Sequence, residues 1–362
     1  MKSIDLFCGV GGLTLGLERA GFTSVLGVEK DDNIAEGFKK NFSNSQCLVG
    51  DISKLKYNDY LNVCGNEKID LVAGGPPCQG FSQKGKRLSL EDERNFLFKY
   101  FLKLVAKLEP NAFLIENVPN ILSTSDGFFF NEILSVLKNM NYKVSAEVLN
   151  ASDFGVPQNR RRAFIIGVKG SNEFVFPKAH DHKVTVSEAI DDLPVLKSGE
   201  GAEVFKYRTA PQNPYQMIMR EESSAVYNHQ ATNHSAIALK RLSMIPENGG
   251  KEHLPEEHLT KSIYSGTWTR LRSDEQAATI TTRFDTPSSG QFTLPTQDRC
   301  LTVREAARIQ SFPDHFIFTG TKSNQMLQVG NAVPPLLAEA VGKELFRHLS
   351  YIANQSSDLR AA

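Results

Sequence analysis

The sequence predicts an α/β protein whose larger domain is a doubly wound, mostly parallel sheet, followed by a second, smaller domain. Short β-rich runs alternate with helical patterns through the first half of the chain, as expected for βαβ units. The alternation stops near residue 171, where a polar, proline-rich region begins. Ligands of such sheets bind beyond the carboxyl ends of the strands, so functional residues are expected in the loops that follow these runs.

Seven runs qualify as strands because they are rich in β-branched and apolar residues and are bounded by turn-forming residues. They are Ser3–Phe7, Ser24–Glu29, Gln46–Gly50, Ile69–Gly74, Ala112–Asn117, Lys143–Leu149 and Ala163–Val168. Four stretches between them have helical spacing, namely Leu13–Ala20, Asp32–Phe42, Phe96–Leu108 and Phe130–Met140.

The polar region is interpreted as the second domain. Its expected elements are a helix near Ser235–Ile245, a strand-like run Gln276–Arg283 and a helix Val303–Gln310. A final helix, Pro335–Ala353, carries apolar residues at core spacing and is expected to return to the first domain. The predicted divisions are residues 1–172, 173–325 and 326–350.

Charge and cysteine content limit the classes of function. The chain has 362 residues, with 41 Lys and Arg balancing 41 Asp and Glu, so any nucleic-acid site must be local rather than a property of the whole surface. Five cysteines without a CxxC pair argue against a disulfide framework and a zinc knuckle, and the histidine spacing matches no common metal site. Neither an export signal nor a membrane-spanning run is present in the sequence, so a cytoplasmic protein is expected.

A glycine-rich turn follows the first strand. Small residues in Gly9-Val-Gly11-Gly12 let the backbone approach a ligand at a helix N-terminus. Glu29 ends the second strand, where an acid can accept hydrogen bonds from ribose hydroxyls. Asp51, after the third strand, is either an acceptor for an adenine amino group or a simple helix cap. The turn lacks the third glycine of GxGxxG, and the residues alone do not separate a nicotinamide cofactor from S-adenosylmethionine.

A proline-flanked cysteine follows the fourth strand, in Gly74-Gly-Pro-Pro-Cys78-Gln-Gly-Phe-Ser82. Such a cysteine is most often a small buried residue, but here Glu116 ends the fifth strand and should face the same crevice. Apolar surroundings of that carboxyl would favour its protonated form, which suits a proton donor.

Basic residues cluster near the same place. Arg160, Arg161 and Arg162 lead into the seventh strand, and Lys84, Lys86 and Arg87 lie in the loop after Cys78. Three adjacent basic residues usually lie on a solvent-exposed edge of a protein. In a chain without net charge, six positive charges near one site favour a cleft that faces phosphates.

Taken together, six motifs resemble those of DNA (cytosine-5)-methyltransferases of the free-standing prokaryotic type. They are Phe7-Cys-Gly-Val-Gly-Gly12, Pro76-Pro-Cys-Gln79, Glu116-Asn-Val118, Gln158-Asn-Arg-Arg-Arg162, Thr302-Val-Arg-Glu-Ala-Ala-Arg-Ile-Gln-Ser-Phe-Pro313 and Gly330-Asn-Ala-Val-Pro334. The matches run from Ile4 to about Arg347. The resemblance implies a Rossmann-like methyltransferase sheet in residues 1–172, a hinge and target-recognition domain in 173–325 and a returning segment in 326–350.

The resemblance also implies residue roles. S-adenosylmethionine would be bordered by Phe7, Gly9, Gly11, Gly12, Glu29, Asp51, Ile52, Pro76, Asn331 and Val333. The catalytic set would be Cys78 as nucleophile, Glu116 at cytosine N3 and its amino group, Arg162 at O2, and Arg160 as support. DNA contacts would come from Gln79, Ser82, Lys84, Lys86 and Arg87, with base edges read by Tyr207–Trp268.

The implied reaction is methyl transfer to C5 of a flipped cytosine in double-stranded DNA through a covalent Cys78–C6 intermediate. The implied setting is a restriction–modification system, with a monomeric, metal-free, nucleoid-associated enzyme. Three alternatives stay open: a tRNA cytosine-5 methyltransferase of the same fold, a catalytically silent DNA-binding relative, and a nicotinamide oxidoreductase. The third leaves the Pro-Pro-Cys loop without a role.

Overall fold

A computed structural model describes residues 1–65, 67–77, 97–137, 140–170, 173–261 and 265–361. The chain divides into two compact units. Unit 1 comprises Met1–Asn150, Arg161–Ala179 and Pro335–Ala362, and unit 2 comprises Ala151–Arg160 and His180–Pro334. The sequence predicts domain boundaries after residues 172 and 325. In the structure, the chain passes from unit 1 to unit 2 after residue 179 and returns to unit 1 after residue 334, and the short segment 151–160 also belongs to unit 2.

The described elements comprise nine strands and eleven α-helices. The strands are β1 Lys2–Leu6, β2 Thr23–Glu29, β3 Gln46–Val49, β4 Leu71–Gly74, β5 Ala112–Asn117, β6 Tyr142–Asn150, β7 Arg161–Lys169, β8 Gly201–Phe205 and β9 Val226–Gln230. The helices are α1 Gly12–Arg19, α2 Asp32–Asn41, α3 Tyr57–Cys64, α4 Leu97–Leu108, α5 Thr124–Leu137, α6 Val186–Ile190, α7 Pro214–Arg220, α8 Ala236–Met244, α9 Val303–Ile309, α10 Lys322–Asn331 and α11 Pro335–Ala361.

Unit 1 is built on a seven-stranded sheet in the order β3-β2-β1-β4-β5-β7-β6. The first five strands pair in parallel, and β7 is antiparallel to both β5 and β6. The predicted α/β class with a mostly parallel sheet is confirmed, and all seven expected strands are present. The central strands are apolar along nearly their whole length because both faces of a parallel sheet are covered, and every residue of β4 and β5 is buried.

The strand order locates a ligand crevice. From β1 the chain adds β2 and β3 on one side, then returns to place β4 and β5 on the other side. The carboxyl ends of β1 and β4 therefore flank a topological switch point, the usual ligand position in open α/β sheets. The loops after these strands contain Phe7 and Pro76.

Helix α11 completes unit 1 by packing against α1. The two helices approach closely at Gly16, where an added Cβ would lie 2.4 Å from the Cβ of Ala338. Gly342 on α11 makes the reciprocal approach, with an added Cβ 2.8 Å from that of Ala20. The expected return of the final helix to the first domain is confirmed.

Unit 2 contains the two-stranded antiparallel β8–β9 sheet and helices α6 to α10. The helices expected near 235–245 and over 303–310 are present as α8 and α9. The strand expected over Gln276–Arg283 is wrong: Ala277 forms only an isolated bridge with Gln158. A ladder cannot continue there because the side chain of Gln158, rather than a backbone carbonyl, accepts the hydrogen bond of Ile280 N.

None of the described helices combines the length and apolar character that crossing a bilayer requires.

Candidate active site

The loop between β1 and α1 has a strained backbone. Phe7, Gly9 and Gly11 all have positive φ, at 62°, 57° and 100°. For Phe7 this conformation costs roughly 1–3 kcal/mol, and such strain is concentrated at functional sites. Cys8 N anchors the loop by donating to Val28 O at 3.0 Å, and Gly12 then begins α1. A Cβ at Gly9 would meet no described atom within 4 Å, so the loop has open space on that side.

Glu29 ties this loop to the end of β2. Its Oε2 accepts a hydrogen bond from Gly9 N at 3.1 Å, and its Oε1 accepts from Lys30 N and Asp31 N. An ionised carboxylate has about four acceptor positions, so three backbone donors leave capacity for a further donor such as a ribose hydroxyl.

Asp51 lies after β3 and is ionised. Its Oδ2 accepts from Lys30 Nζ at 2.9 Å, and its Oδ1 accepts from Ser53 N and Ser53 Oγ. The hydrogen bonds from Lys30 and Ser53 lower the pKa of Asp51 to about 2. Asp51 therefore caps a turn and not a helix, since α3 begins at Tyr57, and its ionised carboxylate is an acceptor beside the crevice. Its neighbour Ile52 is buried in the core of unit 1.

Asp5 forms a buried support beneath the loop. Thr14 Oγ1 donates to Asp5 Oδ2 at 2.6 Å, so the bond joins β1 to α1 across the glycine-rich turn. No described residue supplies a hydrogen bond to Asp5 Oδ1. Burial raises the pKa of Asp5 to about 7, against the opposing effect of the Thr14 hydrogen bond and with the charge of Glu29 adding to the rise.

The segment after β4 is fixed to the end of β5. Asn117 Nδ2 donates to Pro76 O at 2.8 Å, and Asn117 Oδ1 accepts from Val118 N. A Cβ at Gly75 would lie 3.1 Å from Glu116 Oε2, so the Glu116 carboxylate sits directly against this segment. The structure thereby brings Glu116 close to the residues that lead into Cys78.

Glu116 is paired with Arg162. Arg162 Nε lies 2.9 Å from Glu116 Oε1, and the side chains are only 15% and 10% exposed. Burial lowers the pKa of Arg162, and the attraction of Glu116 partly offsets this effect. Glu116 is thus in contact with a cation, an interaction that the sequence did not predict.

Arg160 has a different environment from the one expected. Its guanidinium donates to the carbonyls of Ile280, Gly330 and Ala332 within unit 2, and the residue is 2% exposed. It is therefore unavailable to a phosphate and fixes the chain on both sides of Asn331. Arg160 is a positioning residue, since it holds backbone.

Asn331 is exposed at the end of α10, and Val333 is buried two residues later. Both belong to unit 2.

These contacts reduce the number of arginines that can take part in the basic cleft predicted from the sequence. Arg160 binds carbonyls and Arg162 binds Glu116, which leaves Arg161 as the exposed member of the triplet. The remaining residues predicted to face phosphates, the nucleophile and the other predicted DNA contacts lie outside the described residues: Cys78, Gln79, Ser82, Lys84, Lys86 and Arg87.

Sequence reasoning missed a buried arginine network in unit 2. Arg308 pairs with Asp314 at 2.6 Å and with Asp192 at 3.1 Å, and Arg299 holds Glu305 through two 2.8 Å hydrogen bonds. Arg304 donates to three backbone carbonyls. The available signal was the placement of Arg304 and Arg308 four residues apart in an apolar helix, which puts both on one face.

These features define a class: a Rossmann-like α/β protein with a crevice at the carboxyl ends of β1 and β4 and a carboxylate–guanidinium pair at the ends of β5 and β7. No group of three or more His, Cys, Asp or Glu side chains that could hold a metal ion occurs in the described parts of the chain.

The family model for C-5 cytosine-specific DNA methylase matches residues 1–347. Type II methyltransferase M1.HphI of Haemophilus parahaemolyticus is 38% identical over 347 residues, covering 95% of this chain and 86% of that protein. Type II methyltransferase M.DdeI of Desulfomicrobium norvegicum is 36% identical over 391 residues, covering 99% and 92%.

A solved E. coli structure, described as a DNA modification methyltransferase encoded within a prophage, is 30% identical, with a TM-score of 0.80 and coverage of 97% and 99%. A DNMT2 structure from Spodoptera frugiperda shares the fold at 18% identity and a TM-score of 0.60, covering 95% of this chain and 99% of that one. The chain belongs to the C-5 cytosine-specific DNA methylase family. It is an enzyme of S-adenosylmethionine-dependent DNA cytosine methylation.

Proposed function

We propose that this protein transfers a methyl group to C5 of a specific cytosine in double-stranded DNA, with a covalent bond between Cys78 and C6 of the base. The observation that carries the proposal is the Glu116–Arg162 pair at the ends of β5 and β7, directly against Gly75 and the segment that leads into Cys78. A guanidinium can donate to O2 of cytosine, and a neighbouring carboxyl group can accept from the 4-amino group or, when protonated, donate to N3.

The residues of the crevice fit the cofactor. Glu29 has acceptor capacity for a ribose, Asp51 is ionised and can accept from an amino group, and Gly9 borders open space. Bound S-adenosylmethionine supplies an electrophilic methyl group. The proposed contacts are Phe7, Gly9, Gly11, Gly12, Glu29, Asp51, Ile52, Pro76, Asn331 and Val333.

Covalent activation explains why a thiol is needed. C5 of cytosine is a poor nucleophile because it belongs to an aromatic ring. As the Cys78 thiolate adds to C6, protonated Glu116 donates its proton to N3, and the C4–C5 side of the ring becomes an enamine whose C5 can accept the methyl group; the N3 proton returns to Glu116 when the thiolate leaves. Loss of the C5 proton and elimination of the thiolate then release 5-methylcytosine.

Access to C5 and C6 requires the target base to leave the helical stack, which costs a few kcal/mol. We infer that Lys84, Lys86 and Arg87 bind DNA phosphates and that Gln79 and Ser82 contact the DNA near the flipped base.

Target recognition is assigned to residues 207–268, within a hinge and recognition domain of 173–325. This region has a small core of its own, formed by Leu242, Ile245, Leu254 and Trp268, and exposed polar side chains such as Lys240. Exchanging residues 207–268 for those of a relative that methylates another sequence should transfer the methylated motif. A folded, active hybrid that keeps the original motif would place recognition elsewhere.

The setting is inferred from the relatives. M1.HphI and M.DdeI are named type II methyltransferases, which supports a role as the modification enzyme of a restriction–modification system. We infer a monomer that acts on nucleoid DNA in the cytoplasm.

The decisive test is 5-methylcytosine sequencing of DNA and tRNA from cells that express the wild type or Cys78→Ser. Wild type should produce 5-methylcytosine at one recurring DNA motif, and Cys78→Ser should produce none. Purified wild type should also form a covalent complex with DNA that contains 5-fluorocytosine, as should the matched variant Cys64→Ser. Methylation of tRNA alone, or trapping by Cys78→Ser, would contradict the proposal.

A further inference from the structure

Two cysteines outside the proposed chemistry meet beside the cofactor loop. Cys8 lies within the glycine-rich loop and is buried, and Cys47 is the second residue of β3 and is half-buried. Both are free thiols whose side chains are close enough to influence each other's pKa, and Cys8 Sγ donates to Gly9 O at 3.6 Å. The contact joins residues that are 39 positions apart in the sequence.

A glycine makes this contact possible. Strand β2 lies between β1 and β3, and neighbouring strands are about 4.8 Å apart, so the two cysteines approach each other across β2. Gly27 is the β2 residue paired with Cys47, and Cys8 N donates to the next carbonyl, that of Val28. A Cβ at Gly27 would lie 2.9 Å from Cys8 Sγ, so any larger residue would crowd the path between the sulfurs.

The two thiols differ in reactivity. The interaction with Cys8 lowers the pKa of Cys47, against the opposing effect of burial and with help from the charge of Lys39. Burial raises the pKa of the Cys8 thiol. A partly exposed thiol with thiolate character next to a buried second thiol is the usual arrangement of a redox-sensitive pair.

We propose that Cys8 and Cys47 form an oxidation site at which hydrogen peroxide closes a disulfide that weakens cofactor binding. The second half of this proposal rests on the proposed cofactor site. The Cys47 thiolate attacks peroxide, so that an S–O bond forms and the O–O bond breaks; the leaving hydroxide takes from solvent the proton that the thiol gave up on ionising, and departs as water. Cys8 then attacks the sulfenic sulfur, the S–S bond forms, the S–O bond breaks, and the departing hydroxide takes the Cys8 proton as a second water. Two thiols are oxidised and one peroxide is reduced.

Disulfide closure must displace the loop. An S–S bond is about 2.05 Å long, well below any non-bonded contact between two sulfur atoms. Cys47 is held in the β3 ladder, whereas Cys8 lies between Phe7, in its strained conformation, and Gly9, which donates to Glu29. Movement of Cys8 therefore shifts the residues proposed to border the cofactor. We expect the dissociation constant to rise tenfold or more.

The test uses Cys78→Ser as the starting protein, so that oxidation of the proposed nucleophile contributes nothing. The protein is treated with hydrogen peroxide, alkylated and digested without reduction, and peptides are identified by mass spectrometry. Binding of S-adenosylmethionine is measured by calorimetry before oxidation, after it and after dithiothreitol. We expect a linked Cys8–Cys47 peptide, weaker binding and recovery on reduction. Adding Cys47→Ser should preserve binding under peroxide, whereas adding Cys64→Ser, the matched control in α3, should leave the sensitivity unchanged.

Absence of the linked peptide would overturn the proposal, as would equal cofactor affinity in the oxidised and reduced proteins. Equal loss of binding in the Cys47→Ser variant would also overturn it. Reduced protein that fails to bind S-adenosylmethionine is a distinct result, because it overturns the proposed cofactor site itself.

Discussion

The strand-end crevice of unit 1 and the arginine network of unit 2 use the same residue types in opposite ways. In unit 2, Arg308 is fully buried and meets Asp192, Asp314 and a backbone carbonyl. In unit 1, the Glu116–Arg162 pair remains partly exposed, and Asp5 keeps a buried oxygen to which no described residue donates.

The difference separates structural charges from functional ones. A buried charge that is fully paired stabilises a single conformation, and removing one partner leaves the other uncompensated. A charged side chain at the opening of a crevice can still bind a ligand. Such a side chain serves ligand binding or catalysis rather than the stability of the fold. Substitutions in the two regions should therefore change different measured quantities.

The largest expected effect is on catalysis. Glu116→Gln keeps the shape of the side chain but removes its charge, and we expect kcat to fall about 10²- to 10⁴-fold, equivalent to about 3–5.5 kcal/mol. The melting temperature should change little. Glu147→Gln, at an exposed position on β6 of the same sheet, is the matched control and should keep full activity. An equal loss of stability and activity would place Glu116 among the structural charges.

A substitution in the arginine network should lower the stability of the fold rather than act directly on catalysis. Arg308→Met leaves Asp192 and Asp314 without their shared cation, so the free energy of unfolding should fall by about 3–5 kcal/mol. Urea unfolding followed by tryptophan fluorescence measures this in unit 2, because Trp268 is the single tryptophan of the chain. Arg272→Met removes only an exposed pair with Glu275 and should cost about 0.5 kcal/mol or less. A fall below 1 kcal/mol for Arg308→Met would contradict the assignment.

A substitution in the proposed cofactor crevice should change the affinity for S-adenosylmethionine. Glu29→Ala removes the proposed ribose acceptor and the acceptor for Gly9 N, so calorimetry should show affinity for S-adenosylmethionine reduced by about 2–4 kcal/mol, or about 30- to 1,000-fold. DNA binding should be nearly unchanged. Glu36→Ala, on the neighbouring helix α2, removes a carboxylate that pairs only with the exposed Lys39 among the described residues. Equal effects of the two substitutions would argue against a nucleoside site at the end of β2.

The smallest effect is a pH dependence of stability. The folded-state pKa of Asp5 is about 7, above its ordinary value of 3.8, so the unfolded chain loses this proton first as pH rises. Asp5 therefore destabilises the fold increasingly between about pH 4 and pH 7 and by a constant amount above that. Asp5→Asn should raise the free energy of unfolding at pH 8 by on the order of 2 kcal/mol, and by less at pH 5. A gain that is the same at both values would contradict a protonated Asp5.

The sequence predicted the sheet of unit 1 because its strands are short, apolar and regularly spaced between helices. It also predicted that Glu116 would share a crevice with the loop after β4, since parallel strands end at one edge. Helix α3 was missed because it has only eight residues, although Tyr57, Tyr60, Leu61 and Cys64 have helical spacing. Strands β8 and β9 were missed because they include Gly201, Asn228 and His229, which are uncommon in strands.

The partners of the charged side chains could not be predicted. Arg160, Arg161 and Arg162 are identical and adjacent in sequence, yet one holds backbone carbonyls, one is exposed and one pairs with Glu116. Their environments depend on residues more than 40 positions away. The contact between Cys8 and Cys47 has the same origin, because it needs the sheet order and the absence of a side chain at Gly27.

The packing of α11 against α1 has a consequence for synthesis on the ribosome. The last segment of unit 1 begins at Pro335, so the apolar face of α1 around Gly16 and Leu17 stays uncovered until the chain beyond that residue has been made. At about 5–20 residues per second, this interval lasts on the order of a minute or less. During it, the nascent chain exposes apolar surface that α11 covers in the folded protein. An unfinished chain therefore lacks the helix that completes unit 1, and all of unit 2 is translated before that helix is made.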